Sequence, residues 1–198
     1  MKNFAFILSL AVVFGFAFNN PAKAPEAVTV DTQASYVQWT GYKVTGKHFG
    51  KVRLKSGSLQ YTNGALTGGS FVLDMKSISV EDLTGGTADK LRGHLTSDDF
   101  FGVEKYPTAK FEITKVISRG TPGAYKIIGN LTIKSTTKEI RFNADMKQEN
   151  GKTVGVAKIT LDRSEYDIRY GSGSFFENLG DKTIYDEFDL DINLVLAK

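Results

Sequence analysis

Residues 187–196 read EFDLDINLVL, and they alternate almost without a break. Phe188, Leu190, Ile192, Leu194 and Leu196 fall on one side of an extended chain, and Glu187, Asp189, Asp191 and Asn193 on the other. Successive side chains of a strand point to opposite faces, so a period of two predicts a strand with one face in a core and one in water. A helix would scatter the same residues around its axis.

The period recurs upstream. Val37 and Trp39 oppose Gln38 and Thr40, and Phe71, Leu73 and Met75 oppose Asp74 and Lys76. Phe111 and Ile113 oppose Lys110 and Glu112, while Tyr125, Ile127, Leu131 and Ile133 oppose Lys126, Asn130, Thr132 and Lys134. Ile140, Phe142, Ala144 and Met146 face away from Arg141, Asn143 and Asp145, and Ile159 and Leu161 from Lys158 and Thr160. Turn signals separate the runs: Asn63-Gly64, Gly68-Gly69, Gly120 to Gly123 and Asn150-Gly151. Asn-Gly favours tight hairpins because both central turn positions need positive φ. About eight antiparallel strands in an up-and-down meander follow from this spacing. One segment departs: Leu91 and Leu95 lie at i, i+4 within 88–95, a short helix with Thr87 as its N-cap, and residues 97–102 read as a further helical turn.

The first residues are read as a separate unit. Lys2 precedes an apolar run from Phe4 to Phe18, and Ala22-Lys23-Ala24 offers a small-x-small cleavage pattern. Residues 1–24 are therefore expected to be a secretory signal peptide, and 25–198 one domain. The apolar run is short for a membrane span, which needs roughly 20 residues. An uncleaved anchor is the competing reading. With no second long apolar segment, the exported domain is expected to be periplasmic or secreted, without stable membrane insertion.

Composition excludes several classes. There is no cysteine, which removes disulfides, thiol catalysis and thiolate metal sites. The net charge is +3, but Lys2 and Lys23 belong to the leader, so the remainder is close to neutral. No basic stripe points to nucleic acid. The two histidines, His48 and His94, lack metal-binding spacing, so no metal site is expected. No Gly-x-Ser-x-Gly elbow, phosphate loop or dinucleotide fingerprint is present. Neither an enzymatic activity nor a cofactor is expected.

Alternation alone leaves a sandwich and a barrel both open. The stretch from His94 to Phe111, HLTSDDFFGVEKYPTAKF, resembles the signature of the YceI-like family. The hairpin block from Tyr125 to Ile140 and the segments Asp31–Val37 and Leu161–Asp167 resemble it too, in the family's order. Gly102 departs from the pattern, since many members carry an acidic residue there, and residues 169–182 look like the tail of a sub-branch. The resemblance implies a lipocalin-like barrel that holds a polyisoprenoid lipid, such as an isoprenoid quinone or prenyl chain, in its interior.

On that expectation the inner-face residues become candidate ligand contacts: Trp39, Phe71, Leu73, Met75, Phe111, Ile113, Tyr125, Ile127, Phe142, Leu190 and Ile192. Phe100, Phe101, Phe175 and Phe176 are expected at the mouth, and His94 as a hydrogen-bond partner for a head group. Each inner-face residue taken singly has plain core packing as its competing reading. An interaction domain with a side-chain-filled core and a lipid-modifying enzyme are the alternatives for the whole chain. The near-neutral charge permits a homodimer.

Overall fold

The computed structural model describes residues 24–197, so the expected signal peptide lies almost entirely outside the described residues. Nine strands, β1 (Glu26–Thr29), β2 (Tyr36–Lys43), β3 (Gly46–Thr62), β4 (Ala65–Asp74), β5 (Thr108–Ser118), β6 (Ala124–Ile133), β7 (Thr136–Glu149), β8 (Lys152–Asp162) and β9 (Ile184–Val195), form one antiparallel sheet. The sheet closes on itself through β3 and β4, in the ring order β3-β2-β9-β8-β7-β6-β5-β4. The ring has eight positions because β1 and β2 share one: β2 pairs with Gly46–Arg53 of β3, and β1 with Ser58–Tyr61. This is the expected eight-stranded antiparallel barrel with one helical insertion.

Two predicted hairpin turns are present. Asn63 and Gly64 have φ of 51° and 78°, and Asn150 and Gly151 have 50° and 74°. These are the paired left-handed positions that a two-residue hairpin needs. Gly68-Gly69 is not a turn but lies inside β4. A Cβ on Gly69 would come within 2.8 Å of the Ser58 carbonyl and 3.2 Å of Ile113, so glycine there lets neighbouring strands approach. Met75 is not a strand residue either. The Asp74 carboxylate accepts from the Lys76 amide at 3.1 Å and starts a 3-10 turn at Met75–Ser77, although Met75 stays buried.

The chain then continues along β3. The amides of Ser79 and Glu81 donate to the carbonyls of Lys51 and Phe49, both at 2.9 Å, and use the edge of β3 that β4 has left. Helix α1 (Gly85–Thr96) follows, beginning earlier than expected, with Thr84 rather than Thr87 at the N-cap and no side-chain capping bond. Residues 97–102 form hydrogen-bonded turns rather than a helical turn. Gly102 has φ of +54°, a conformation that costs an acidic side chain energy, and its missing Cβ would sit 3.3 Å from the Asp98 carboxylate.

All the long connections emerge at one end of the barrel. That end carries the β2–β3 turn, the α1 insertion between β4 and β5, and the loop between β8 and β9. The other end is closed by short hairpins and by β1. Val30, Leu54, Leu59, Leu66, Phe71 and Ile127 are buried toward that lower end. Met75, Ile78, Leu95, Phe100, Val103, Tyr166 and Ile168 are buried beneath the insertion at the upper end.

Candidate ligand chamber

Inward-facing side chains do not fill the barrel. An upper chamber of about 460 Å³ lies under α1. Its walls include Val37, Trp39, Val52, Leu73, Ala109, Leu131, Phe188 and Leu190, and its roof includes Leu91, Leu95, Phe100 and Phe101. A lower chamber of about 120 Å³ is bounded by Phe71, Phe111, Ile113, Tyr125, Ile127, Phe142, Ala144, Ala157 and Ile192 among others. Val37, Leu73, Leu131 and Leu190 border both chambers and form the waist between them. The two therefore lie end to end within the barrel. Gly129 helps to shape the lower wall, since a Cβ there would lie 2.6 Å from the Phe111 ring.

Most expected contacts converge. Trp39, Leu73, Met75, His94, Phe100, Phe101 and Leu190 line the upper chamber. Phe71, Phe111, Ile113, Tyr125, Ile127, Phe142 and Ile192 line the lower one. Phe175 and Phe176 line neither. They lie on the loop between β8 and β9, where both are exposed. The Arg169 guanidinium stacks 4.7 Å from the centre of the Phe175 ring. Tyr170 takes the mouth position instead, with its ring 4.3 Å from that of His94.

The polar groups at the upper end fall into two sets. One set is fully engaged. The Trp39 indole donates to the Ser79 carbonyl at 3.1 Å. Nδ1 of His48 meets the Asp82 carboxylate at 2.7 Å, and Asp82 also accepts from the Phe49 amide at 3.0 Å. Burial works against the Asp82 carboxylate, but these bonds outweigh it and hold its pKa below the usual value.

Arg163, 3% exposed, donates from Nε to the Tyr185 carbonyl, from Nη1 to that of Ile168 and from Nη2 to that of Ile184, at 3.1, 2.8 and 2.9 Å. Its Nη2 also pairs with Asp186 Oδ1 at 3.2 Å, a charge contact without hydrogen-bond geometry, while Asp186 Oδ2 accepts from Ser172 and Ser174. Burial lowers the Arg163 pKa, and Asp186 and Asp162 oppose that shift. With its donors committed to the protein, Arg163 braces the mouth loop and has little left for a ligand. Sequence reasoning missed it because its partners lie about 20 residues away on another strand; an arginine beside the apolar Ile159–Leu161 run was the available signal.

The second set has one clear member. Nε2 of His94 is buried and has no hydrogen-bond partner, and the residue lines the upper chamber between the rings of Phe100 and Tyr170. A buried polar atom without a partner costs roughly 1–3 kcal/mol, which a ligand group could recover. Lys43, Asp181 and Lys182 are charged groups at the chamber's outer edge. Among the described residues, no three His, Asp or Glu side chains converge to hold a metal ion.

The barrel has relatives. The model of the YceI-like domain matches residues 28–196. A UPF0312 protein of Vibrio cholerae is 30% identical over 151 residues, which is 73% of this chain and 74% of the relative. Among solved structures, BcnA of Burkholderia cenocepacia superposes with a TM-score of 0.70 at 18% identity, over 85% of this chain and 99% of that one. A polyisoprenoid-binding domain from Saccharophagus degradans superposes with 0.59 at 12% identity, over 85% and 96%. At these identities the structural likeness shows the fold alone.

Proposed function

The chain belongs to the YceI-like domain family, and on that premise we propose that it binds a long apolar lipid, an isoprenoid quinone or a prenyl chain, inside its barrel. The observation that carries the reading is the two-chamber interior, mainly apolar along its length, with a buried polar atom of its lining, His94 Nε2, left without a partner near its upper end. The polyisoprenoid-binding domain that shares the fold supports the same class of ligand.

The tail fills both chambers and the head sits at the mouth, beside His94 and Tyr170. Burying hydrocarbon contributes roughly 0.8 kcal/mol per methylene. Association and ordering costs of roughly 4–15 kcal/mol oppose it. A ligand therefore needs several isoprene units before it binds at all, and a one-unit analogue should not bind. At roughly 30 Å³ per water-sized group, the chambers seat about 15 and about four such groups. Affinity is then expected to rise with chain length and level off near four isoprene units.

The role is binding and sequestration or transport rather than catalysis, because the chamber walls are mainly apolar and the His48 and Arg163 side chains that reach it are engaged with the protein. The apolar leader at residues 4–18 supports a place in the cell envelope. Trp39 is the sole tryptophan of the chain and lines the upper chamber, so it is a built-in reporter. Titration with prenyl quinones of increasing length should quench its fluorescence, and Leu73→Arg, which puts a charge at the waist, should abolish the response. Quenching that is unchanged in Leu73→Arg would remove the chambers from the reading.

A further inference from the structure

Most of the strongly exposed large apolar side chains gather at one place. Val44, Tyr170, Phe175, Phe176 and Tyr185 are 49, 47, 44, 50 and 50% exposed. Ile117, the other such residue, is 38% exposed and lies at the far end of β5. Hydrogen bonds join the five into one lip. The Val44 amide donates to the Thr183 carbonyl at 3.2 Å, and the Ile184 amide to that of Gly171 at 2.8 Å. The amides of Phe175 and Phe176 donate to the Ser172 carbonyl, and the Ser172 and Ser174 hydroxyls donate to Asp186 at 2.9 and 2.6 Å. The loop is thus held with its aromatic side chains outward. That is unusual for a surface with water as its only neighbour.

The lip is continuous with the chamber. Tyr170 and Tyr185 line the upper chamber while remaining half exposed, so the apolar lining runs out over the edge. The charges around it include Lys43, Lys47 and Lys182, which have no ion-pair partner among the described residues. Arg169 is matched by Asp167 at 2.8 Å, and Glu165, Glu177 and Asp181 are acids of the loop without an ion-pair partner among the described residues. The balance is close to neutral. It leaves the aromatics to supply most of the attraction, as at membrane interfaces.

We propose that this lip, formed by the β2–β3 turn and the loop between β8 and β9, docks on the surface of a phospholipid bilayer and sets the chamber mouth against it. The inference rests on the reading of the chamber as a lipid site, because a ligand insoluble in water has to enter from a membrane. Phe175 and Phe176, outside both chambers, are anchors for the bilayer rather than contacts for the bound chain.

The test is co-flotation of the protein with vesicles of phosphatidylcholine containing about a quarter phosphatidylglycerol. The native protein should float, and Phe175→Ser combined with Phe176→Ser should lower the partition coefficient about tenfold. Ile117→Ser should leave it unchanged, and added salt should weaken binding only slightly. Trp39 quenching by a prenyl quinone delivered without vesicles should be the same in the double variant as in the native protein. No flotation of the native protein, or equal flotation of the double variant, would overturn docking while leaving the chamber reading to its own test. A sedimenting homodimer that the double variant dissociates would also overturn it, since the lip would then face a second copy. Flotation without any quenching would keep the docking surface and sink the lipid chamber.

Discussion

Filling the lower chamber should shorten the chain that the barrel accepts. Ala144 and Ala157 are cross-strand partners on β7 and β8, and both line that chamber. Replacing each by leucine adds roughly three heavy atoms apiece, more than the about four water-sized groups that 120 Å³ holds. Both positions are only half-buried, so the added volume should cost stability no more than the 1–3 kcal/mol typical of overpacking. Ligands with about four isoprene units would lose about one unit of burial. At roughly 0.8 kcal/mol per methylene that is about 3 kcal/mol, or about a hundredfold in Kd. A two-unit ligand, which fits in the upper chamber, should bind the variant as it binds the native protein. The assay is Trp39 quenching across a series of tail lengths, with a thermal melt to check folding. An equal loss for short and long ligands, or no loss for either, would refute the two-chamber account.

Three further outcomes are expected. Arg163→Leu strands Asp186 in the protein and removes three bonds to backbone carbonyls; a loss of about 3–5 kcal/mol is expected in denaturant unfolding, and a loss under 1 kcal/mol would contradict the bracing role. Tyr166 is 1% exposed, its hydroxyl has no partner, and burial pushes its pKa up to about 12. The folded state therefore holds the proton where the unfolded chain has released it, so this contribution is complete below about pH 10 and disappears as pH rises toward 12. Tyr166→Phe should be neutral or stabilising at pH 7 and should flatten the decline between those values; destabilisation beyond 1 kcal/mol would show that the hydroxyl is satisfied. His94→Leu should weaken quinone binding about tenfold, the worth of one hydrogen bond, and leave a head-less isoprenoid hydrocarbon unaffected; equal effects on both would reduce His94 to packing.

The strands were legible because their signal is local. The alternation of Phe188 to Leu196 states which face is buried without reference to any other segment, and Asn63-Gly64 and Asn150-Gly151 carry their turn geometry in their own φ preferences. The misreadings concern residues whose meaning depends on distant neighbours. Gly68-Gly69 looks like a turn until Ser58 and Ile113 are seen pressing on the strand that contains it. Met75 continues the alternation of β4, but Asp74 caps a 3-10 turn there and the Met75 amide donates to Pro107.

The chamber lining followed from strand faces, so Leu73, Phe142 and Leu190 were accessible to sequence reasoning. The mouth was not, because loop side chains have no period. Phe175 and Phe176 are expected at the mouth as ligand contacts, yet the bonds from Ser172 and Ser174 to Asp186 hold their loop so that they face outward and line neither chamber. Arg163 was invisible for the opposite reason, since a charged residue gave no hint of burial until Asp186 and three carbonyls were placed around it.

The most direct test of the lipid chamber is native mass spectrometry, with organic extraction, of the protein purified from its own host without added lipid. The account predicts one bound apolar chain per barrel, released by solvent as a prenyl quinone or related isoprenoid and absent from Leu73→Arg. A folded protein that carries no such molecule, and takes none up when prenyl lipids are supplied, would contradict it.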